Sequence, residues 1–444
     1  MATDMQTKPS GADKEYRPLP QGVGQLGPAW MAFVVASSLV LLIGLFAWWQ
    51  ELSEGMIVTG MRNVGTMGGA SWGLYITMVV YFIGVSFAGI TIAALIRLFR
   101  IDYLRPIARS AELLTVVALI LGALAIVVDL GQPLRGIVNL FRYARPQSPF
   151  FGTFSLVIAG YLFASLVYLY LGGRRDAAIL AKQRSGLQWF HRLWAAGYTD
   201  TPAEQERHRN ASFWLALAII PLLVIAHSTL GFVFGLQVGR PGWYGTLQAP
   251  AFLALAGVSG IGHVIVLAAV VRRIIDDQAR IGSAIFAWLG KFLLLLLLVY
   301  LYFMTVELLT LLYATPEVEK ELSDALLLGS YAWLYWGSVA LLVLPAISLI
   351  WQALAHRWSV KWLVAAGIAV NLAAIGKRYL IVVPSQTHGT LLPYETGSYS
   401  PSWVEYATVL GMFALGALLV GLFYKVFPAL PLSEEEEKEV VSHA

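Results

Sequence analysis

The sequence predicts an all-α integral membrane protein with about ten transmembrane helices. Three observations carry this. Hydrophobic residues make up 58% of the 444 residues and charged residues only 13%, about half the ~25% of a soluble domain. The apolar residues fall in blocks of about 20 or more, the length a helix needs to cross a ~30 Å hydrocarbon layer. Barrel-type alternation is absent, and an unclosed strand would leave backbone groups unpaired in lipid.

The blocks put spans 1 to 10 at roughly 29–49, 72–97, 107–128, 152–172, 212–238, 248–272, 285–313, 325–355, 360–380 and 404–427. Span 1 follows a polar tail, 1–28, that lacks the pattern of a signal peptide. Spans 2 and 6 share an echo: Gly84-Val85-Ser86-Phe87-Ala88-Gly89 and Gly257-Val258-Ser259-Gly260-Ile261-Gly262 both read GVSxxG, each followed by an apolar stretch and then Arg. The two spans lie four apart and cross in the same direction. That predicts two parallel four-helix bundles, 72–238 and 248–380, with 29–49 and 404–427 as peripheral helices. Chance recurrence of small residues, which packed membrane helices favour, is the alternative. Span 8 is long and carries Pro345, which predicts a tilt or kink. Residues 428–444 form an acidic tail with Glu434-Glu435-Glu436-Glu437, expected to be solvated and without chemistry.

The net charge of +4 is topological rather than a nucleic-acid signal. Ten spans put both termini on one side, whose loops carry roughly 21 Lys and Arg against roughly 8 opposite, so both termini are expected in the cytoplasm. The segment 173–211 contributes most, with Arg174, Arg175, Lys182, Arg184, Arg192, Arg207 and Arg209. The absence of cysteine excludes disulfides and cysteine-ligated iron–sulfur clusters in this chain. Any such cluster belongs to a partner.

The candidate site starts from Asp129, which closes the apolar run Leu113–Val128, and His227, inside span 5. Ionisable groups at the edge of the hydrocarbon layer are expensive and are functional candidates by default. The topology brings Asp129 to the external end of span 3 and His227 beyond the midpoint of span 5. Trp72 and Tyr75 open span 2 externally, Tyr81 lies deeper, and Ser148-Pro149-Phe150-Phe151-Gly152 starts span 4. A quinone fits such a set: its ring stacks on aromatics, its oxygens need hydrogen bonds, and quinol oxidation releases two protons. His227 could bind a quinol oxygen and take its proton. Asp129 could pass that proton to water or orient the imidazole, with burial raising its affinity for it. Tyr75, Tyr81, Trp72 and Ser228 are candidates for the cleft. The structural readings are that Asp129 pairs with Arg135 or caps the following loop, and that His227, beside Ser228 and Thr229, is a hydrogen-bonded packing residue. In the second bundle His263, Glu307, Lys291 and Arg378 are proton-path candidates, with a structural Glu307–Arg378 pair as the alternative. No metal site is expected. Haem would need paired axial histidines from facing helices, and only His227 and His263 are intramembrane, on successive spans.

Several motifs resemble the NrfD/PsrC-like membrane subunits of polysulfide reductase, certain hydrogenases and related respiratory complexes, in the larger ten-span branch. They are Trp72-Gly73-Leu74-Tyr75 with Gly84 and Gly89, Asp129-Leu130-Gly131-Gln132-Pro133, Ser148-Pro149 with Gly152, and His227-Ser228 with Trp243 and Pro250. Near the end come Arg378-Tyr379-Leu380-Ile381-Val382-Val383-Pro384 and Tyr399-Ser400-Pro401-Ser402-Trp403-Val404-Glu405. Gln132 stands where the family has Arg, and Lys377 where it usually has Glu. The resemblance implies a quinone-reactive membrane subunit of a respiratory oxidoreductase complex, with a menaquinone or ubiquinone site near the external face. It implies no haem or iron–sulfur cluster in this chain and a docked ferredoxin-like iron–sulfur subunit, often with a molybdopterin or multihaem cytochrome c partner. It also implies a bacterial cytoplasmic (inner) membrane. A subunit of alternative complex III, whose main quinol subunit tends to have His at the position of Asp129, ranks second. A secondary transporter or a non-catalytic membrane anchor are the rivals from other classes.

Overall fold

A computed structural model describes residues 18–61, 70–143, 145, 147–148, 153–275, 277–313, 317–388 and 398–442. Among them there is no strand. Ten helices are long and apolar enough to cross a membrane: Pro28–Glu54, Leu74–Phe99, Asp102–Asp129, Ser155–Leu180, Pro202–Gly235, Gln248–Ile275, Ser283–Tyr313, Ala332–Leu354, Val360–Thr387 and Trp403–Val426. They correspond in order to spans 1 to 10.

Several boundaries differ from the sequence reading, among them the ends of span 4 at Leu180 and of span 9 at Thr387, and two have a local physical reason. Span 5 begins ten residues early, at Pro202, because the Glu204 N–H donates to Thr201 Oγ1 at 3.4 Å and proline is preset for a first helical turn. Span 8 is shorter than expected. The N–H groups of Leu328 and Gly329 both donate to the Asp324 carbonyl, at 2.9 and 2.8 Å, ending a separate short helix, Glu317–Leu327. Span 8 then starts at Ala332 and runs through Pro345 as one helix.

Span 2 lies at the centre. Its apolar window is 89% buried, against 6% for span 1. It packs on spans 3, 6 and 9, and its second half packs on span 5. Span 4 packs on spans 3 and 5, span 6 on spans 5, 7 and 9, and span 8 on spans 7 and 9. Spans 1 and 10 pack on each other, and span 10 packs on spans 3 and 2. Their crossing is close: a Cβ on Gly44 would stand 2.8 Å from the Gly411 Cα.

The echoed GVSxxG segments face one another at the contact of spans 2 and 6. A Cβ on Gly84 would meet the Ser259 hydroxyl at 3.5 Å, and one on Gly260 would meet Ala88 N and Val85 O at 2.9 Å. Small residues thus let two central helices touch backbone to backbone, as lipid-embedded packing favours. The substitution Gly260→Val has no room on that backbone. It is expected to destabilise the protein by about 1–3 kcal/mol or more, read as a lowered unfolding temperature in detergent. Unchanged thermal stability would refute the close approach.

The echo is not symmetric in conformation. Span 6 is one continuous helix, whereas span 2 is interrupted at Ser86 between Leu74–Val85 and Phe87–Phe99. Side chains complete the carbonyls there. Ile83 O accepts from Ser86 Oγ (2.6 Å), and Ser86 O accepts from Thr115 Oγ1 (2.8 Å) and the Tyr161 hydroxyl (3.1 Å).

The face bearing the start of span 1 and the end of span 10 is tied by buried charge. Arg109 Nη2 pairs with Asp176 at 2.5 Å, and Arg109 Nη1 donates to the carbonyls of Pro428 (2.9 Å) and Leu430 (3.2 Å). Arg97 pairs with Glu112 at 3.1 Å, its guanidinium 4.1 Å from the centre of the Tyr168 ring. The acidic tail is not free in solvent as expected. Its helix, Glu434–Ser442, docks on arginines, with Glu437 held by both Nη atoms of Arg175 near the end of span 4 (2.7 and 3.1 Å) and Glu436 by Arg280 (3.1 Å). Complementary charge explains this: the tail meets arginines that also set the charge asymmetry.

Candidate site on the face opposite the termini

Trp72, Tyr75, Asp129, Glu307 and Arg378 lie toward the ends of their spans away from the termini, Tyr81, His227 and Ser228 lie nearer mid-span, and Lys291 lies near the opposite end. Asp129 is the last residue of span 3 and is 5% exposed, while Arg135 is exposed on the following helix, Pro133–Tyr143. Pro149 to Gly152 and residues 1–17 lie outside the described residues.

His227 sits at the interruption of span 2 and is 1% exposed. Its Nδ1 lies 2.8 Å from Leu223 O, one turn back, and its Nε2 lies 2.9 Å from Ile83 O. Phe87 and Tyr161 meet the imidazole edge-on, with ring centres 5.5 and 6.0 Å away. Both nitrogens therefore face carbonyl oxygens. A neutral imidazole has one N–H and can donate to only one of them; an imidazolium can donate to both. Asp129, Trp72 and Tyr75 are not among the contacts of His227. Ser228 follows it on span 5 and is partly buried.

Tyr81 and His263 come together near the middle of spans 2 and 6. The Tyr81 hydroxyl donates to Asn371 Oδ1 at 3.2 Å, and Asn371 Nδ2 donates to Gly367 O at 2.7 Å. His263 lies edge-on to Tyr81 at 5.9 Å, with Nδ1 3.2 Å from Ser259 O. Asn371 was missed because a single amide in an apolar run carries no distinctive spacing.

Tyr75 belongs to another group, at the ends of spans 1, 2 and 10. Its hydroxyl donates to Glu51 Oε2 at 2.8 Å. Beside it Tyr399 donates to Glu405 Oε1 and accepts from the Leu74 N–H at 2.7 Å. Glu405 Oε2 accepts from the N–H groups of Gly60 (2.7 Å) and Ser402 (2.9 Å). Both carboxyls are fully buried. Burial and the neighbouring Glu405 push the Tyr399 hydroxyl well above the ordinary tyrosine range. Glu51 escaped the sequence reading although it ends an apolar run as Asp129 does. That same anomaly could have found it.

Trp72 joins the two halves of the helical array. It stacks on Trp243 with centres 5.7 Å apart and exchanges hydrogen bonds with Gln386 (Trp72 N–H to Oε1, 3.0 Å; Nε2 to Trp72 O, 2.7 Å). Trp243 meets Phe234 edge-on at 5.0 Å, and Phe234 lies 5.5 Å from Phe252. Arg378 stands 4.1 Å above the Phe252 ring and donates to Phe252 O at 3.1 Å. Among the described residues Arg378 and Glu307 do not form an ion pair within 4.0 Å. The guanidinium instead lies on an aromatic face and donates Nη2 to a carbonyl, while among the described residues its buried Nη1 has no hydrogen-bond partner. Glu307 borders a cavity of about 500 Å³ between spans 6, 7 and 9. Lys291 is exposed near the opposite end of span 7, away from these groups.

These features define a multi-pass helical membrane protein with aromatic and ionisable groups gathered at one end of its helices. The chain belongs to the NrfD family, polysulphide reductase: a sequence model of that family matches residues 62–388. It is 32% identical to a putative dimethyl sulfoxide reductase membrane subunit of Halobacterium salinarum, over 92% of this chain and 93% of that protein. It is 25% identical to a selenate reductase subunit of Mesobacillus selenatarsenatis, over 90% and 94% of the two chains. It is 24% identical to the menaquinone reductase integral membrane subunit of Nitratidesulfovibrio vulgaris, over 91% and 92%.

Proposed function

We propose that this chain is the quinone-reactive membrane subunit of a respiratory oxidoreductase complex, exchanging electrons between membrane quinone and a partner iron–sulfur subunit. The observation that carries this reading is membership of the NrfD family with relatives named as membrane subunits of menaquinone and dimethyl sulfoxide reductases and a subunit of selenate reductase. The quinone is menaquinone or ubiquinone. The chain has no cysteine to hold a cluster, so the two electrons of a quinol go to the partner and its two protons to side chains and water. In the tautomer whose one N–H lies at Nδ1, on Leu223 O, His227 accepts one proton at Nε2 and then donates it to a facing oxygen. Ile83 O, which faces that nitrogen, also accepts from Ser86 Oγ, so it keeps a donor when a quinol oxygen takes its place. Asp129 relays the proton outward. Ser228, next to His227, shapes the cleft, while Tyr75, Tyr81 and Trp72 sit in neighbouring groups bonded to Glu51, Asn371 and Gln386. His263, Glu307 and Arg378 remain candidates for a coupled proton path.

The protein spans the cytoplasmic membrane of a bacterium with both termini inside, by the loop-charge asymmetry. The iron–sulfur subunit docks on the opposite face, over Asp129 and Trp72, and the complex is completed by a molybdopterin or multihaem partner.

The test uses the complex purified with its partners. Quinone should be extractable from it, and Asp129→Asn should lower quinol-dependent turnover on the order of 10²-fold, the lower end for a positioned proton acceptor. A complex without bound quinone and with unchanged turnover in Asp129→Asn would sink the reading. Purification as a single stable chain would favour a transporter.

A further inference from the structure

The cavity beside span 7 has neither His227 nor Asp129 in its lining, which comes from spans 6, 7, 8 and 9, the loop before span 6 and the short helix Glu317–Leu327. Its roof is the loop 241–247, and the roof is fixed on three sides. Trp243 Nε1 donates to Ile381 O at 2.5 Å. Gln248 Nε2 donates to Gly242 O at 3.1 Å, and Glu319 accepts from the Gly242 N–H at 3.1 and 3.2 Å. Phe303, Met304, Leu308 and Leu380 form much of its apolar wall. At about 500 Å³ it falls within the 300–1,000 Å³ typical of small-molecule sites.

One ammonium and two carboxyl groups border it: Lys377, Glu307 and Glu319. Lys377 is 5% exposed, and its ammonium lies 5.1 Å from the centre of the Tyr335 ring. Among the described residues no carboxylate comes within 4.0 Å of it. A buried ammonium without an anionic partner is costly, and an acceptor in the cavity would offset that cost. Glu307, on span 7, supplies an acceptor of its own. Burial pushes the Glu319 carboxyl on the same wall above the ordinary carboxylate range. Two carboxyls against one ammonium disfavour a phosphate head group. They suit a neutral ring with an oxygen to accept from Lys377 and a hydroxyl to donate to Glu307.

We propose that this cavity is a second quinone site, separate from the one at His227 and Asp129, with Lys377 binding one ring oxygen and Glu307 the other. The proposal rests on the quinone reading above for the class of its ligand.

The assembled complex in lipid nanodiscs, photolabelled with an azido-quinone and mapped by mass spectrometry, tests it. Label is expected on the peptides containing 303–308 and 377–381. It should fall more than 10-fold in Lys377→Met and in Glu307→Gln, which keeps the side-chain size, and persist in Asp129→Asn. Label confined to the first bundle would overturn the second site and leave the proposed function standing. No competable label anywhere would overturn both. Label at spans 7 and 9 that neither variant reduces, or that unlabelled quinone fails to displace while phospholipid does, would overturn the assignment of this cavity.

Discussion

His227→Ala is expected to lower quinol-dependent turnover of the assembled complex on the order of 10²- to 10⁴-fold, the usual contribution of a positioned acid or base. The loss has two conceivable origins, because His227 also bonds the backbone of span 2 at Ile83 O. Removing a buried donor there costs stability by about 1–3 kcal/mol if the carbonyl is left unsatisfied. The carbonyl is not left so, since Ser86 Oγ still donates to it at 2.6 Å. The two origins separate with His227→Gln. A glutamine amide can donate to Ile83 O in place of Nε2 but cannot take up a proton. That variant is therefore expected to assemble with near-normal thermal stability and to remain as inactive as the alanine. Wild-type turnover in His227→Gln would show that the imidazole is a packing residue only. Normal stability without turnover would locate its contribution in proton exchange.

Asp176→Ala is expected to destabilise the protein by about 3–5 kcal/mol, the cost of leaving a buried charge without its partner. Arg109 and Asp176 have side chains 4% and 7% exposed and pair at 2.5 Å. Asp176 also accepts from the Leu432 N–H at 3.2 Å, and Arg109 reaches the carbonyls of Pro428 and Leu430. The pair therefore anchors the segment after span 10 as well as joining spans 3 and 4. Removal of the carboxyl alone should lower the unfolding temperature and make the tail accessible to protease. The double variant Arg109→Met with Asp176→Leu should recover only part of the loss, because the Pro428 and Leu430 carbonyls still lack a donor. A single variant as stable as the wild type, with the tail still protected, would refute this.

The spans are legible because length and hydropathy are one-dimensional quantities. Ten apolar blocks predict ten helices, and the errors fall where local hydrogen bonding decides, at Thr201 and at Asp324 with Gly329. The GVSxxG echo points to a contact that exists, between Gly84 and Ser259, but not to the interruption at Ser86. The carbonyls at that break are bonded by Thr115, Tyr161 and His227, which come from three other spans. The candidate residues are legible as chemical anomalies, and which of them meet is not. Tyr75 is expected near His227 yet bonds Glu51. Glu307 is expected near Arg378 yet borders a cavity. Such pairings depend on how helices are rotated about their axes, which charge and hydropathy constrain only weakly. The acidic tail reads as solvated because its partners, Arg175 and Arg280, lie over 150 residues away in sequence.

The interruption at Ser86 bears on how the chain is made. Its halves have 12 and 13 residues, about 18–20 Å of helix each at 1.5 Å per residue, and neither crosses a ~30 Å hydrocarbon layer alone. The insertion machinery therefore has to receive span 2 as a single segment. His227 follows Ile83 by 144 residues. At 5–20 residues synthesised per second, about 7–30 s pass before that imidazole exists. During that interval Ser86 Oγ and the helix's own amides have to satisfy the Ile83 carbonyl, so the final geometry at Ser86 is a late event in biogenesis.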